Sequence, residues 1–368
     1  MSDPARIPIN DLARLETIEK SEVAERIITA VNSGVFVGGP SIERLEAQIS
    51  ELVGLRQVVS VASGSDALYL AIRGLGVKFG QCVVTVGNAA GYSTSAILRC
   101  DASPLLVDVD PLTAQMSPSS LDAALKLHQD ISGVIVTHLY GLIGQIDEIA
   151  DLCEQHGVFL IEDCAQSFGA VYENVSAGAW GDAAAFSFYP TKNLAALGDG
   201  GMVGFKDPEA CARARKIAQY GWSSRYEVAH PDGINSRLDE IQAAVLLHRL
   251  GSVHSRNSRR RDILRRYAKS VTAPRRLIFE DSEQCVAHLA VMRTPTRDRD
   301  QAVLNEHGID TAIHFPIPDH LQPAWRHLFE GVVMPDTETH CREALTLPCF
   351  PELTEEEIER VCEALGNL

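Results

Sequence analysis

The sequence predicts an α/β protein whose large domain holds a mostly parallel, seven-stranded sheet flanked by helices, followed by a smaller C-terminal α+β domain. Three observations predict this fold class. Between about residues 55 and 205, short apolar runs alternate with longer helical stretches. The runs are almost continuously apolar, which is typical of parallel strands covered by helices on both faces. The length of 368 residues and the apolar share of 45% suit one large and one small domain.

Seven runs are the predicted strands of the large sheet. In chain order they are Gln57–Val61, Cys82–Val86, Pro104–Val109, Gly133–Thr137, Val158–Glu162, Ala184–Phe188 and Met202–Phe205. Amphipathic helices are predicted between several of them, over Asp66–Leu75, Ser119–Leu127 and Asp147–His156. Because parallel sheets bind ligands beyond the carboxyl ends of their strands, functional residues are expected in the loops that follow the strands.

The rest of the chain predicts a second, smaller unit. A long helical stretch over about residues 236–269 leads away from the sheet, and its arginine-rich run, residues 256–261, is predicted to be a solvated helix face. Residues from about 285 onward combine a strand, Val286–Met292, with helices and the proline-rich segment HFPIPDHLQPAW. We therefore expect residues 1–250 to form the large ligand-binding domain, with an N-terminal helical segment, and residues 251–368 to form the small domain.

The composition argues against several classes of function. A formal net charge of −16 and a pI near 5.2 disfavour binding to nucleic acid, so an anionic ligand must be held by local groups. The nine cysteines are scattered and form no Cys-x-x-Cys pair, so neither a disulfide framework nor a metal site is expected. Residues 1–20 lack the apolar core of a signal peptide, and no apolar run is long enough to span a membrane. A cytoplasmic protein without nucleic-acid or membrane partners is expected.

The segment ASGSDALYLAI, residues 62–72, is a candidate anion site. It follows the first predicted strand with small residues, and a helix begins near Ser65 or Asp66. The free N–H groups and the dipole of a helix start attract an anion, and a small residue such as Gly64 lets a phosphate come close. The same Ser-Gly-Ser-Asp sequence is also an ordinary helix N-cap. Both interpretations are open.

Two acidic residues stand at the carboxyl end of the fifth predicted strand. In FLIEDCAQSFGA, Glu162 and Asp163 follow an apolar run. A carboxylate at such a position is unfavourable unless it meets a positive charge or hydrogen-bond donors. It can bind a metal, cap a helix or pair with a cationic heterocycle, and these interpretations stay open.

Lys192 follows the sixth predicted strand. The stretch FSFYPTKNLAALGDGG, residues 186–201, places this lysine between an apolar run and a series of small residues. Desolvation can remove the proton of a buried lysine, and the resulting amine can form a Schiff base with an aldehyde. A lysine on a surface loop is the alternative. Together, a phosphate site, an acid at a strand end and a lysine after a later strand are the three anchors that pyridoxal phosphate requires.

These segments resemble the DegT/DnrJ/EryC1/StrS family of sugar aminotransferases, which are pyridoxal-phosphate enzymes of the aspartate aminotransferase fold, type I. The resemblance covers nearly the whole chain, and the lysine and aspartate segments are highly specific for the family. The other matching segments are FVGGPSIERLEAQISELVGL, SGSDALYLAIRGLGV, PLLVDVDP, VTHLYGLIG, DGINSRLDEIQAAVL, IHFPIPDHLQPAW and LPCFPELTEEEIERV.

The resemblance implies a role for each residue around the cofactor. Lys192 is expected to form the Schiff base, and Asp163 is expected to keep the pyridine nitrogen protonated. The other expected contacts are Gln166 with the 3-hydroxyl group and, at the phosphate, Gly64, Ser65, Asp66 and Ser187. The family usually stacks an aromatic residue on the ring. In VGNAAGYSTSAIL, direct register places Ala90 at that position, and we expect Tyr92 to stack instead.

The resemblance also implies a homodimer whose active sites lie at the subunit interface. Asn235, in GINSRL, is expected to reach the phosphate of the neighbouring subunit, with Arg237 as the weaker candidate. The candidate substrate-binding residues, each of which has packing or internal bonding as the alternative, are Tyr220, Trp222, His314 and His320. Arg225 and the run 256–261 are candidate partners of a substrate diphosphate.

The implied reaction moves an amino group from an amino acid, expected to be L-glutamate, to a nucleotide-linked keto-deoxysugar by way of pyridoxal and pyridoxamine phosphate. The segments YGWSSRYEVAH and NSRLDEIQAA are most similar to members that aminate carbon 3 of dTDP sugars, which favours a dTDP-3-keto-6-deoxyhexose. A 4-keto sugar, a cyclitol and a non-catalytic regulatory function are the alternatives. Lysine at position 192, where dehydratases of the family carry histidine, argues against dehydration.

Overall fold

The structure, a computed structural model, describes residues 6–14 and 17–368, and for residues 17 and 18 the backbone alone. Residues 1–5 and 15–16, which belong to the N-terminal segment expected to lack a signal peptide, lie outside the described residues. In the described part of the chain, no helix is both long and apolar enough to cross a membrane.

The described residues form fourteen strands, of which seven make the large sheet. In chain order the strands are β1 (Gln57–Val61), β2 (Cys82–Val86), β3 (Ser103–Val107), β4 (Ile131–Thr137), β5 (Phe159–Asp163), β6 (Val171–Tyr172), β7 (Val175–Ser176), β8 (Ala183–Ser187), β9 (Gly201–Phe205), β10 (Trp222–Ser224), β11 (Glu227–Val228), β12 (Arg276–Leu277), β13 (Ala290–Arg293) and β14 (Ala344–Leu347). The helices are α1 (Thr17–Ser33), α2 (Pro40–Val53), α3 (Gly64–Gly74), α4 (Tyr92–Arg99), α5 (Pro118–Leu127), α6 (Ile146–His156), α7 (Pro208–Ala218), α8 (Glu240–Leu250), α9 (Val253–Ser270), α10 (Arg297–Glu306), α11 (Pro335–Glu343) and α12 (Glu355–Gly366).

The large sheet has the strand order β1-β9-β8-β5-β4-β2-β3, and β9 runs antiparallel to its two neighbours. The other four pairings are parallel, as in Val84 of β2, which lies opposite Leu105 of β3 and Val134 of β4. This arrangement confirms the predicted α/β fold with a mostly parallel, seven-stranded sheet. The predicted strands of this sheet match the observed ones within two residues at each end. The carboxyl ends of β4, β5 and β8 lie at one edge, where the residues that follow them meet.

Apolar side chains cover both faces of the sheet. On one face, α3, α4 and α7 contribute buried residues such as Leu70, Ile97 and Ala214. On the other face, the core includes Ile49 of α2 and Ile149 of α6, and it continues into the C-terminal helices and strands. The sheet is therefore buried between two layers, and a ligand reaches it at the carboxyl edge of the strands.

Two predicted elements of the C-terminal half differ from the structure. The helix predicted over residues 236–269 is two helices, α8 and α9, because the chain turns at Gly251. The strand predicted to start at Val286 starts at Ala290. The residues before Ala290 are held by the loop after β4, because the N–H of Val286 donates to the carbonyl of Gly141 at 2.9 Å. This bond draws the segment before β13 towards the carboxyl edge of the large sheet.

The arginine-rich run on α9 is not the solvated face that was predicted. Arg260 is buried and donates a hydrogen bond to the backbone carbonyl of Cys349 at 2.6 Å. Arg256 pairs with Glu352 at 2.6 Å, and Arg259 pairs with a carboxylate of α12 at 2.8 Å. These contacts fasten α9 to the C-terminal segment. They correct the expectation that the run is available to a substrate diphosphate.

The C-terminal part of the chain contains its own antiparallel sheet of order β12-β13-β14, which contacts α9, α10 and α11. The predicted domain boundary at residue 250 coincides with the end of α8. The apolar core is shared across this boundary, since buried residues of α2 and α6 belong to the same cluster as Ile263 of α9 and Val361 of α12. The division into residues 1–250 and 251–368 stays a prediction.

Candidate active site

The turn between β1 and α3 presents backbone donors at the carboxyl edge of the sheet. β1 ends at Val61 and Ser63 caps the helix, with its Oγ atom accepting the N–H of Asp66 at 3.1 Å. The first N–H groups of a helix have no partner inside the helix, so those of Gly64 and Ser65 remain available to an anion. Both residues line a cavity of about 400 Å³, and this cavity is the candidate active site.

Close packing around the turn leaves room for glycine alone at two positions. A Cβ atom on Gly64 would lie 2.7 Å from the Cβ atom of Ser187, at the end of β8. A Cβ atom on Gly201 would lie 2.4 Å from the backbone carbonyl carbon of Ser63. The two glycines therefore allow the donors of the turn to approach the Ser187 hydroxyl, which also lines the cavity. Backbone donors and a hydroxyl around a narrow cradle fit a phosphate group.

Asp163, at the carboxyl end of β5, lines the same cavity. It is 4% exposed, its Oδ1 atom accepts the N–H of Ala165 at 3.1 Å, and its Oδ2 atom accepts the hydroxyl of Thr137 at 3.4 Å. Burial raises the pKa of this carboxyl group, whereas the Ala165 N–H and the charge of Lys192 lower it. A cationic ligand beside Asp163 would favour the ionised form of its carboxyl group, and the two opposite charges would then attract each other.

The neighbouring acid, Glu162, has a structural role. Its carboxylate accepts the N–H groups of Gly178, Trp180 and Gly181 at 2.7–2.8 Å. It also lies 2.9 Å from the Nε2 atom of His138. Because four donors occupy its two oxygens, this carboxylate holds the loop after β7 in place. Of the two adjacent acids, Asp163 faces the cavity and Glu162 does not.

Lys192 reaches the cavity from the turn after β8. Its backbone N–H donates to the carbonyl of Tyr189 at 2.8 Å, and its side chain is partly buried in the cavity wall. Burial lowers the pKa of the Lys192 amine to about 8, although the charge of Asp163 opposes this shift. A substantial share of the amine is therefore neutral near pH 8 and can act as a nucleophile or a base.

The cavity brings together most of the residues predicted to bind a cofactor. Gln166 is fixed because its Oε1 atom accepts the N–H of Tyr140 at 2.6 Å, which leaves its amide hydrogens to a ligand. Tyr92 begins α4, and its ring meets the ring of Phe315 edge-on at a centroid distance of 6.5 Å. The predicted residues that line the cavity are Gly64, Ser65, Tyr92, Asp163, Gln166, Ser187, Lys192 and His314.

Two of the predicted residues that lie outside the cavity wall, Asp66 and His320, are bound by partners within the chain. The backbone N–H of Asp66 is bound by Ser63, and its carboxylate pairs with Arg99 at 2.6 Å. Asp66 therefore supports the helix cap, which corrects the expectation that its N–H binds an anion. His320 is 2% exposed and lies 3.2 Å from a carboxylate oxygen of Glu338. This contact corrects the expectation that His320 is a substrate neighbour, in favour of internal bonding.

A second group of predicted residues lies on the outer surface around the hairpin formed by β10 and β11. The rings of Tyr220 and Trp222 are 4.9 Å apart, and the Arg237 guanidinium lies over the Tyr220 ring at 5.7 Å. Asn235 accepts a hydrogen bond from Arg237 at 3.1 Å, and Arg225 stands at the exposed tip of the hairpin. None of these five residues lines the cavity of its own chain.

Several residues of the cavity wall were not predicted from the sequence; they include Thr137, Leu139, Tyr189, Thr191, Asp199, His288 and Phe315. His288 lies in the run CVAHLAV, whose apolar pattern suggests a strand. The one available signal was a polar residue inside an apolar run. Phe315 and Asp199 carry no signal of their own, because the loops that hold them have no regular pattern.

The arrangement of the cavity fits pyridoxal phosphate. The α3 start and the Ser187 hydroxyl suit its phosphate, and buried Asp163 suits its protonated ring nitrogen. The Gln166 amide suits the 3-hydroxyl group, and the Lys192 amine suits the aldehyde. A mostly parallel seven-stranded sheet with this site at its carboxyl edge defines a pyridoxal-phosphate-dependent enzyme of fold type I.

A profile of the DegT/DnrJ/EryC1/StrS aminotransferase family matches residues 17–366, and the chain belongs to this family. The chain is 34% identical to a pleiotropic regulatory protein of Geobacillus stearothermophilus over 98% of both chains. It is 35% identical to dTDP-3-amino-3,4,6-trideoxy-alpha-D-glucose transaminase of Streptomyces venezuelae over 99% of this chain and 96% of that one. It is 33% identical to UDP-N-acetyl-3-dehydro-alpha-D-glucosamine 3-aminotransferase of Acidithiobacillus ferrooxidans over 99% of this chain and 98% of that one.

The fold is shared with solved structures of the same family. S. venezuelae DesV, crystallised in complex with a ketimine intermediate, matches with a TM-score of 0.94 and 35% identity over 99% of this chain and 98% of its own. These similarities confirm the predicted family and fold. They also confirm the enzyme class, an aminotransferase that uses pyridoxal phosphate.

Substituting Gly64 with alanine is expected to weaken the binding of pyridoxal phosphate by roughly 5- to 150-fold, because overpacking of this kind costs about 1–3 kcal/mol. The added Cβ atom would push the helix start away from Ser187. Spectroscopic titration of the cofactor-free chain measures the dissociation constant. Gly366→Ala is the control, because no atom lies within 4 Å of a Cβ atom at that position. Unchanged cofactor affinity in Gly64→Ala would show that the cradle is not the phosphate site.

Proposed function

We propose that this aminotransferase moves an amino group from an amino acid, L-glutamate, to a nucleotide-linked keto-deoxysugar, with a dTDP-3-keto-6-deoxyhexose as the preferred acceptor. The observation that carries the proposal is the cavity that Lys192 and Asp163 share. The acceptor is inferred from relatives that align with 99% of the chain. One is named for a dTDP sugar and the other for a UDP sugar, and both names place the amino group on carbon 3. The names of the relatives therefore support amination at carbon 3 more strongly than they support dTDP as the nucleotide.

When bound, pyridoxal phosphate supplies an aldehyde that links to an amine and a ring that accepts an electron pair from the attached carbon. The groups that would hold it come from this cavity. The phosphate would be bound by the backbone of Gly64 and Ser65 with the hydroxyl of Ser187, the 3-hydroxyl by Gln166, the ring nitrogen by Asp163 and the ring face by Tyr92.

Lys192 carries out the proton transfers in this proposal. Its neutral Nζ atom would be the group that links to the aldehyde of the cofactor. While free of that link, the same amine would take up a proton from the substrate carbon, hold it as an ammonium ion and give it back. A pKa of about 8 suits these tasks, because the amine is partly neutral near physiological pH and its conjugate acid is still a usable proton donor.

We also propose that two copies of the chain form a homodimer in the cytoplasm. Tyr220, Trp222 and Asn235 lie outside the cavity of their own chain, although the resemblance to the family implies that they serve an active site. The hairpin that carries them would reach the neighbouring subunit, where Asn235 would contact the cofactor phosphate and the aromatic rings would contact the substrate. The cysteines within the described residues are all free, in keeping with a reducing compartment.

The proposed acceptor is tested by incubating the purified enzyme with L-glutamate and a panel of keto compounds. The panel contains dTDP-linked 3-keto- and 4-keto-6-deoxyhexoses, a UDP-linked 3-keto sugar and a keto-cyclitol. Mass spectrometry detects replacement of the carbonyl oxygen by an amino group. The dTDP-3-keto sugar is expected to have a kcat/KM at least about 10-fold above the others.

Each alternative result corrects a different part of the proposal. Preference for the UDP-linked 3-keto sugar would support amination at carbon 3 and would show that the acceptor carries UDP and not dTDP. Preference for the 4-keto sugar would correct the aminated carbon. Turnover of the cyclitol alone would overturn the nucleotide-sugar proposal. If L-alanine or L-aspartate supported faster transamination than L-glutamate as the amino donor, the proposed donor would be wrong.

A further inference from the structure

Ser236, a fully buried residue that does not line the cavity, holds both ends of the turn between β1 and α3. The N–H of Ala62, directly before this turn, donates to the Oγ atom of Ser236 at 3.0 Å. The Oγ atom of Ser236 donates in turn to the Oδ2 atom of Asp66, directly after the turn, at 2.7 Å. One hydroxyl group therefore joins the two residues that flank the turn 63–65.

The chemistry of the three groups determines the direction of both hydrogen bonds. A backbone N–H can only donate, so the oxygen of Ser236 is the acceptor for Ala62. The carboxylate of Asp66, which pairs with Arg99 at 2.6 Å, can only accept, so the single hydroxyl hydrogen of Ser236 points to it. Ser236 therefore uses its hydrogen and a lone pair at the same time, and both contacts require the hydroxyl group.

The segment that carries Ser236 is itself fixed to two neighbouring helices. The N–H of Ser236 donates to the carbonyl of Ala218, the last residue of α7, at 2.9 Å. The hydroxyl of Tyr69, on α3, donates to the carbonyl of Asp232 at 2.9 Å. Because its backbone is held at these points, Ser236 offers its hydroxyl group to the turn from a fixed position.

We propose that Ser236 is a positioning residue for the cofactor phosphate. Its hydroxyl group fixes Ala62 relative to Asp66, and the turn between them presents the free N–H groups of Gly64 and Ser65 to the cavity. The direction of these N–H groups matters, because a hydrogen bond weakens steeply when its angle at the hydrogen falls below about 120°. The inference rests on the proposed phosphate site at this turn.

The test compares pyridoxal phosphate with pyridoxal, which has the same ring and aldehyde but no phosphate. The full-length chain is freed of cofactor and titrated with each compound, and the absorbance above 400 nm gives the two dissociation constants. Ser236→Ala removes the hydroxyl group. Ser60→Ala is the matched control, because Ser60 is a buried serine of β1 whose hydroxyl has no hydrogen-bond partner among the described residues.

Ser236→Ala is expected to raise the dissociation constant of pyridoxal phosphate about 10-fold and to leave that of pyridoxal within about 2-fold. A general loss of structure would weaken the binding of both compounds alike, so the ratio of the two constants reports on the phosphate site. Ser60→Ala should change neither constant. Ser236→Cys should give a smaller loss in the same direction, because a thiol donates and accepts weakly, and it replaces Ser236→Ala if that variant does not fold.

Two results would overturn the inference. One is an unchanged ratio of the two constants in Ser236→Ala. The other concerns Asn235, the adjacent residue that is proposed to reach the phosphate of the neighbouring subunit. If Ser236 acts on the turn of its own chain, the losses from Ser236→Ala and Asn235→Ala should multiply in the double variant. A double variant no weaker than Asn235→Ala would show that Ser236 acts only by placing Asn235.

Failure of the proposed phosphate site would give a different result. The unmodified chain would then bind pyridoxal as tightly as pyridoxal phosphate, before any substitution is made. A clear preference of the unmodified chain for pyridoxal phosphate, combined with an unchanged ratio in Ser236→Ala, would refute the role of Ser236 alone.

Discussion

Lys192→Ala is expected to reduce kcat by at least about 10³-fold, because one amine provides both the covalent attachment and the proton transfer. The absorbance band above 400 nm should also disappear. The groups around the phosphate and the ring nitrogen remain in this variant, so the cofactor should still bind without a covalent link. Steady-state rates with L-glutamate and the acceptor, measured alongside cofactor content, separate loss of chemistry from loss of cofactor.

Two further variants distinguish the chemistry of this lysine from its charge. Lys192→Arg keeps a positive charge near Asp163, but arginine does not lose its proton near neutral pH. It is therefore expected to be as inactive as Lys192→Ala. Lys126→Ala removes an exposed lysine on α5 and should leave kcat unchanged. Substantial turnover by Lys192→Arg would mean that charge suffices, and normal turnover by Lys192→Ala would refute the assignment.

The meeting of Asp163 and Lys192 in one cavity was predictable because it depends on a regular pattern. Asp163 and Lys192 each follow an apolar run of strand length, and in a parallel sheet such runs end at the same edge. Their convergence could therefore be predicted without the order of the strands. Gly64 was part of the same prediction, whereas the close packing at Gly201 is seen only in the structure, where two chain segments that meet at that edge leave no space for a Cβ atom.

The residues that sequence reasoning missed or misplaced depend on contacts between distant segments. His288 enters the site because residues before β13 bind the loop after β4, about 145 positions earlier in the chain. His320 and Arg260 were candidates for contact with substrate, but both have internal partners, Glu338 at 18 positions and Cys349 at 89 positions further along the chain. The spacing of apolar residues along the sequence does not reveal such pairings. The same holds for Asn235, whose expected partner belongs to another copy of the chain.

Asp163→Asn is expected to lower kcat by about 10²- to 10⁴-fold and to leave the absorbance band above 400 nm in place. Asparagine has nearly the same shape and can still accept the N–H of Ala165, but it cannot hold a proton on the ring nitrogen. The deficit should therefore lie in removal of the substrate proton. L-glutamate deuterated at carbon 2 should react more slowly than unlabelled L-glutamate, and this isotope effect on kcat should be larger in Asp163→Asn than in the unmodified enzyme.

Glu162→Gln is the matched control, because it alters the adjacent acid of the same strand. Its amide nitrogen would face N–H donors of the loop 178–181, which should cost about 1–3 kcal/mol and lower the melting temperature. Activity per folded molecule should persist, since Glu162 does not line the cavity. Asp163→Asn should show the reverse, with a nearly unchanged melting temperature and a large loss of kcat. The same response to both substitutions would mean that the two acids have one structural role, and Asp163 could not then be the partner of the cofactor ring.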